Sequence, residues 1–475
     1  MQFASLDFAA FYLLVFTIYW MVGPQKLVRK CILLGSSLLF YSVLGTLPLL
    51  LLILSCVINY GIGKIMNEGP KRHRKNCLLL GIGFNLGFLG LYKYLDFFRE
   101  SASTLLEFTG FQAHIPIMHV ILPIGISFYT FQALTYLIDL YNRHGIAAES
   151  LLDFMIFQCF FPQLLIGPIC RSVDLLPQIT ADPLKSIPDV AESARLILSG
   201  LFKKTVVATI LFEFGVHDAF QNPEGYSAVG LWGAMIGYSI QLYCDFSGYT
   251  DMARGFALLM GYRLPENFRH PYAVTNLGEF WKRWHITFSQ WLRDYIYIPL
   301  GGSHCPAWRV SLNLFLTFLF CGFWHGASWG YVIWGAAHGI AMAAHKQNRD
   351  RKRRKGIDPN APTPVFEAII GWAYTFLFVA LSRVVFQSPS LDLAWIYYQR
   401  LFSHTAYGTG AEGILVLAIV IGLGMNFFGP RIEKWTSRQM LALPNMLLLS
   451  TTMLTLFIIL LLRPGGVAPY LYFRF

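Results

Sequence analysis

The sequence predicts an all-α, multi-pass membrane protein. Three observations carry that reading: scarce charge, apolar runs that recur from end to end, and basic residues clustered in the gaps between them. Charged residues make up 13% of the 475 positions and hydrophobic ones 55%, whereas a soluble domain carries roughly 25% charged residues. The mean hydropathy is +0.50.

The elements follow from the apolar runs, since a helix needs about 20 residues to cross a bilayer. Residues 8–22 form the first run. It has no basic region ahead of it and no small-residue cleavage site, so it is expected as a retained span rather than a signal peptide. The expected spans are 5–23, 31–44, 46–63, 77–92, 118–138, 151–170, 195–215, 228–244, 310–325, 328–344, 368–386, 412–428 and 443–462. The 31–44 piece is short, and 195–215 carries Lys203, Lys204 and Glu213.

The net charge of +11 comes from clusters at Lys26, Arg29 and Lys30, at 71–75, and at 346–355. Basic loops between spans face the cytoplasm under the positive-inside rule, so the charge reflects membrane orientation and not nucleic acid. Gly45 marks a tight uncharged turn, and the alternation places the N-terminus outside. If every segment before Lys346 crossed, the strongest basic run would fall outside as well. An odd number must fail to cross, with 195–215 and 151–170 the suspects. The 346–355 run and the polar 356–364 linker are read as a solvated loop, with contact to anionic membrane lipid as the alternative. The 8 cysteines include no Cys-x-x-Cys pair and lie mostly in apolar runs, so neither a disulfide framework nor a zinc site is indicated.

Residues 245–302 are semi-polar and aromatic, yet they lie between spans. Trp281, Trp284 and Trp291 fall on one face of a continuous helix, with Lys282, Arg283 and Arg293 nearby. This pattern predicts re-entrant or interfacial helices bordering a polar cavity. On such a helix His285 and Ser289, four apart, share a face, so Ser289 could hydrogen-bond the imidazole or its ligand. An interfacial histidine held by packing is the equal alternative.

His325 ends the uncharged stretch that begins at Ser311, and no Asp, Glu, Lys or Arg follows until Lys346. An ionisable residue at membrane depth is a functional candidate, and imidazole suits proton transfer near neutral pH. A buried histidine can also simply bridge helices. On one continuous helix His338 would lie roughly opposite His325, at ~100° per residue, which argues against a shared metal. His338 alone reads as structural. Gly326-Ala327-Ser328-Trp329-Gly330 matches G-x-S-x-G, but it joins two apolar helical runs instead of forming a strand-to-helix elbow, so Ser328 is discounted as a nucleophile. No glycine-rich phosphate loop is present. Gln163, Arg171, Gln241, Asp245, Ser247 and Asp251 are polar groups at membrane depth. They suit either a lined cavity or helix–helix hydrogen bonds.

Several passages occur in order along the chain: Leu122-Pro123-Ile124-Gly125-Ile126-Ser127-Phe128-Tyr129, Leu165-Ile166-Gly167-Pro168, Asp245-Phe246-Ser247-Gly248-Tyr249 and Glu266-Asn267-Phe268. They continue with Phe280-Trp281-Lys282-Arg283-Trp284-His285-Ile286, Trp291-Leu292-Arg293-Asp294-Tyr295, Ile298-Pro299-Leu300-Gly301-Gly302 and Trp324-His325-Gly326. Together they resemble the membrane-bound O-acyltransferase family, in its bacterial polysaccharide O-acetylation branch. Lys282 and Thr287 depart from the usual Arg and Ser.

The resemblance implies one domain over 1–475, with a ring of transmembrane helices around a central tunnel in the bacterial inner membrane. It makes His325 the catalytic histidine and His285 a second family histidine near the cytoplasmic side. It implies acetyl transfer from a cytoplasmic thioester such as acetyl-CoA to peptidoglycan or alginate, with cellulose also open. It also implies a separate extracytoplasmic O-acetyltransferase as partner, and no bound cofactor or metal. Arg293 and Asp294 are expected to position the donor, and Ser289, Asp245 and Gln241 to line the tunnel. The alternative class is a proton-coupled transporter of an acetylated intermediate, with the histidines as a relay, although no inverted repeat is evident. Scaffolding is a third reading.

Overall fold

A computed structural model describes residues 2–109, 123–358, 361, 363–403, 413–465 and 470–471. Leu122 of the first motif lies outside them, as do residues 118–122 and 412 of two expected spans and positions 359, 360 and 362 of the linker. Among the described residues every regular element is helical. The chain divides into two compact units. One comprises residues 1–197 and 249–265, the other residues 198–248 and 266–475.

In the first unit the Leu6–Met21 helix starts at Ser5, whose hydroxyl accepts from the Phe8 N–H at 3.2 Å. The Lys26–Ser42 and Thr46–Glu68 helices are joined at Gly45, which takes φ +115°, a conformation that glycine adopts without strain. Thr46–Glu68 and Arg74–Leu89 are stapled by Asn59 and Asn85, whose amides donate to each other at 3.3 and 2.6 Å. Inside a membrane such a bond contributes about 0.6 kcal/mol. A π-turn at Gly90–Tyr94 extends this helix into Leu95–Phe108.

Five described helices are long and apolar enough to cross a membrane: Thr46–Glu68, the Lys71–Phe108 run, Ala307–His325, Val365–Gln387 and Asn445–Leu462. The pair Gly413–Phe427 and Gly429–Ala442, bent by 74°, makes up to 6. Both suspect segments are broken. Residues 151–170 contain only the short helices Leu151–Cys159 and Phe161–Leu164. Residues 195–215 are interrupted by π-turns at Phe202–Ala208 and Phe212–Val216, the second kinked at Gly215 with φ +101°.

In the second unit Ala307–His325 and Trp329–Arg354 form a helical hairpin. Its interface is built on glycine. A Cβ at Gly322 would come 2.2 Å from the Tyr331 carbonyl oxygen, and one at Gly335 would come 2.5 Å from that of Phe318. Small residues let membrane helices approach closely enough for packing to hold them. The expected loop at 346–355 is corrected here: Trp329–Arg354 stays helical through nearly all of it, and Lys346 donates to Asp350 one turn on at 2.7 Å.

Candidate active site

The expected single helix through the tryptophan block does not form. Asn276 caps Leu277–Arg283 by accepting from the Glu279 N–H at 2.9 Å. Trp284 is extended and His285 is left-handed, at φ 43° and ψ 59°, before Ile286–Leu292 begins. For a residue with a side chain that conformation costs on the order of 1–3 kcal/mol and needs outside support.

Asn267 supplies that support. The Ile286 N–H donates to its carbonyl oxygen at 2.8 Å, while its Oδ1 accepts from the Thr287 N–H at 3.2 Å and the Thr287 hydroxyl at 3.0 Å. The His285 Nδ1 lies 3.0 Å from the same Oδ1. A backbone N–H can only donate, so this oxygen is an acceptor and Nδ1 carries the imidazole proton. Nε2 then holds the lone pair, which fixes His285 as the tautomer suited to accept a proton there.

The break also separates residues that were expected together. Ser289 does not reach the imidazole: its hydroxyl donates to the Trp284 carbonyl at 2.9 Å, and the residue lines a different cavity. Trp281, Trp284 and Trp291 likewise part company. Trp281 packs against Trp334, Trp284 lies under Arg383, and Trp291 stacks with Phe320.

His325 is the last residue of Ala307–His325 and is half-buried. Its ring centroid lies 4.8 Å from that of Trp324, 5.2 Å from Trp334 and 5.0 Å from Phe386. Gly326 is required after it, because a Cβ there would come 2.3 Å from the Tyr331 ring. His285 and His325 are brought together at one small cavity of about 20 Å³, which Arg383, Trp284, Trp334 and Phe386 also line. Phe288 packs against both imidazoles, 5.1 Å from His285 and 6.4 Å from His325.

A second, larger cavity of about 670 Å³ carries a basic wall of Lys282, Arg293, Lys346, Arg349 and Arg353. Trp281 and Phe318 line its apolar side. Trp281 and Trp334, one from each cavity, lie 6.0 Å apart, so a pair of indoles separates the two spaces. At this wall Lys282 donates to Glu279 at 2.8 Å and holds that carboxyl below its usual range. Burial, assisted by the Arg349 charge, lowers the His345 pKa.

The remaining expected residues have other settings. Arg293 lines the large cavity and pairs with Asp294 at 2.6 Å, so Asp294 acts on Arg293. Asp245 and Gln241 are buried and are not among the residues that line these two cavities. The Asp245 carboxylate pairs with Lys204 and accepts from the Leu471 N–H at 2.9 Å. His338 bridges helices through Ser382, at 3.0 Å, and packs against Trp281. Ser328 caps Trp329–Arg354 by accepting from the Gly330 N–H at 3.3 Å. Among the described residues no three His, Cys, Asp or Glu groups are placed to hold a metal.

Arg383 was not singled out by the sequence reading. The signal was available, because it is the only charge in the expected 368–386 span. Asn267 belongs to the Glu266-Asn267-Phe268 motif, but its part in fixing the tautomer emerges only in the fold.

Residues 142–382 match the membrane-bound O-acyltransferase family. The probable alginate O-acetylase AlgI of Pseudomonas aeruginosa is 38% identical over 445 residues, 91% of this chain and 82% of that protein. The peptidoglycan O-acetyltransferase of Helicobacter pylori is 35% identical, covering 78% of this chain and 73% of its own length. The teichoic acid D-alanyltransferase of Bacillus subtilis is 29% identical, over 58% and 71%. The chain belongs to the membrane-bound O-acyltransferase family: it is a multi-pass membrane acyltransferase.

Proposed function

We propose that this protein takes an acetyl group from a cytoplasmic thioester, acetyl-CoA, and passes it across the inner membrane for O-acetylation of alginate or peptidoglycan. An extracytoplasmic transferase completes the modification. The observation that carries this reading is the arrangement of the two cavities. A basic space of about 670 Å³ lies one indole pair away from a cavity lined by two histidines. Ligand sites typically enclose about 300–1,000 Å³, and guanidinium and ammonium groups pair with phosphate through charge-assisted hydrogen bonds. The wall formed by Arg349, Arg353, Lys346 and Arg293 suits the phosphates of the donor. Its thioester arm would have to part the Trp281–Trp334 contact to reach the histidines.

At the histidines, His325 takes the proton from an acceptor hydroxyl as its oxygen attacks the acetyl carbonyl. The carbonyl π electrons move to oxygen, giving a tetrahedral intermediate. Its collapse restores the carbonyl, breaks the carbon–sulfur bond and returns the proton to the departing thiolate. General-base catalysis of this kind contributes about 10²–10⁴-fold. His285, held in one tautomer by Asn267, orients the donor or the acceptor across the same cavity.

The test is reconstitution in proteoliposomes, with acetyl-CoA consumption and proton-coupled solute uptake measured side by side. Thioester consumption that depends on an acceptor supports the proposal. Proton-coupled uptake without thioester consumption contradicts it.

A further inference from the structure

Arg383 lies in the membrane helix Val365–Gln387, is 4% exposed, and lines the small cavity with His285 and His325. It stands one residue beyond the family match, which ends at 382. Its neighbours are neutral. The guanidinium donates through Nη1 to the Tyr272 hydroxyl and lies 4.5 Å over the Trp284 ring and 5.6 Å over that of Tyr272. Among the described residues no carboxylate pairs with it.

A permanent cation in that setting is costly, because the ring faces return only part of the solvation lost on burial. Membrane-buried charges usually face a functional cavity or a counter-ion. Here the cavity is the one that holds both histidines. The space beside the guanidinium is small, about 20 Å³, which suits a single small polar atom such as a carbonyl oxygen.

We propose that Arg383 is the oxyanion-stabilising residue of acyl transfer, offering its guanidinium to the thioester carbonyl oxygen between His285 and His325. The inference rests on the acetyl-transfer reading above. In the ground state the carbonyl is neutral. As the acceptor oxygen bonds to carbon and the π electrons move to oxygen, a negative charge forms beside a cation fixed by Tyr272 and Trp284. Collapse of the intermediate removes that charge as the carbon–sulfur bond breaks. A pre-set donor aimed at charge that exists only in the transition state acts on kcat more than on donor binding.

The experiment compares wild type, Arg383→Gln and Arg383→Lys as full-length protein in proteoliposomes, with acetyl-CoA and with its dithioacetyl analogue, whose carbonyl oxygen is replaced by sulfur. Arg383→Gln is expected to lower kcat with acetyl-CoA about 10²–10³-fold, the usual loss for one oxyanion donor, with KM for the donor within about threefold. The loss should shrink with the dithioacetyl donor, because a developing thiolate-like sulfur gains less from an N–H donor. Arg383→Lys keeps the charge and should recover part of the rate. If Arg383→Gln fails to fold, the lysine variant with the two donors decides. An equal loss with both donors, or an effect confined to KM, overturns the assignment. A wild-type protein that consumes no thioester overturns the acetyl-transfer reading as well, whereas an active wild type with an unaffected Arg383→Gln variant overturns only the role of Arg383.

Discussion

Lys204 and Arg383 are both buried in the second unit, and they keep opposite company. Lys204 is fully buried and pairs with Asp245. The second carboxylate oxygen of Asp245 accepts from the Leu471 N–H, and the Tyr470 ring lies 4.0 Å from the ammonium. Arg383 meets a phenol and aromatic faces, with no carboxylate paired to it among the described residues, and it opens onto the cavity of the two histidines. The contrast teaches that depth and charge alone do not mark function. A buried charge with a counter-ion and sealed surroundings holds elements together, while one that faces a cavity among neutral groups is placed for a negative charge yet to appear.

Asp245→Asn tests the sealed side of this comparison and should have the largest effect on stability. Removing one member of a buried pair leaves an uncompensated charge and costs about 3–5 kcal/mol. The thermal midpoint in detergent should fall steeply while kcat per folded molecule holds, and Lys204→Met with Asp245→Leu should restore much of the midpoint. A lost kcat at an unchanged midpoint would return Asp245 to the tunnel.

The basic wall sharpens the cavity side. Arg349→Gln with Arg353→Gln should raise KM for acetyl-CoA about tenfold, corresponding to roughly 1.4 kcal/mol, and should flatten its salt dependence. An unchanged KM would show that the donor binds elsewhere. The smallest effect is expected at Ser328. Ser328→Ala removes a helix cap at a cost of about 1 kcal/mol, visible in the thermal midpoint, with acetyl transfer retained. Abolished transfer would make Ser328 the nucleophile after all.

Much of the membrane architecture and the position of His325 could be read in the sequence, because both rest on where charge is missing. The broken 195–215 segment was also legible, since Lys203, Lys204 and Glu213 are too costly for a plain span. What could not be read was the left-handed turn at His285. Helical spacing put Ser289 beside that imidazole, yet one reversed residue, supported by Asn267 from 18 positions earlier, sends Ser289 into the other cavity. The helical course of 346–355 was hidden for a related reason. Its composition fits a solvated loop, and only its continuity with the glycine-packed hairpin keeps Arg349 and Arg353 on the wall of the large cavity. Arg383 obeys the same rule that exposed His325, but a single arginine in a span gives no hint of whether a carboxylate waits on another helix.

The most direct test of the account is acceptor-dependent thioester consumption by His325→Ala, measured beside Asp245→Asn in the same proteoliposomes and normalised to folded protein. The account predicts a loss of about 10²-fold or more for His325→Ala and a nearly unchanged rate for Asp245→Asn. Normal transfer by folded His325→Ala would contradict it.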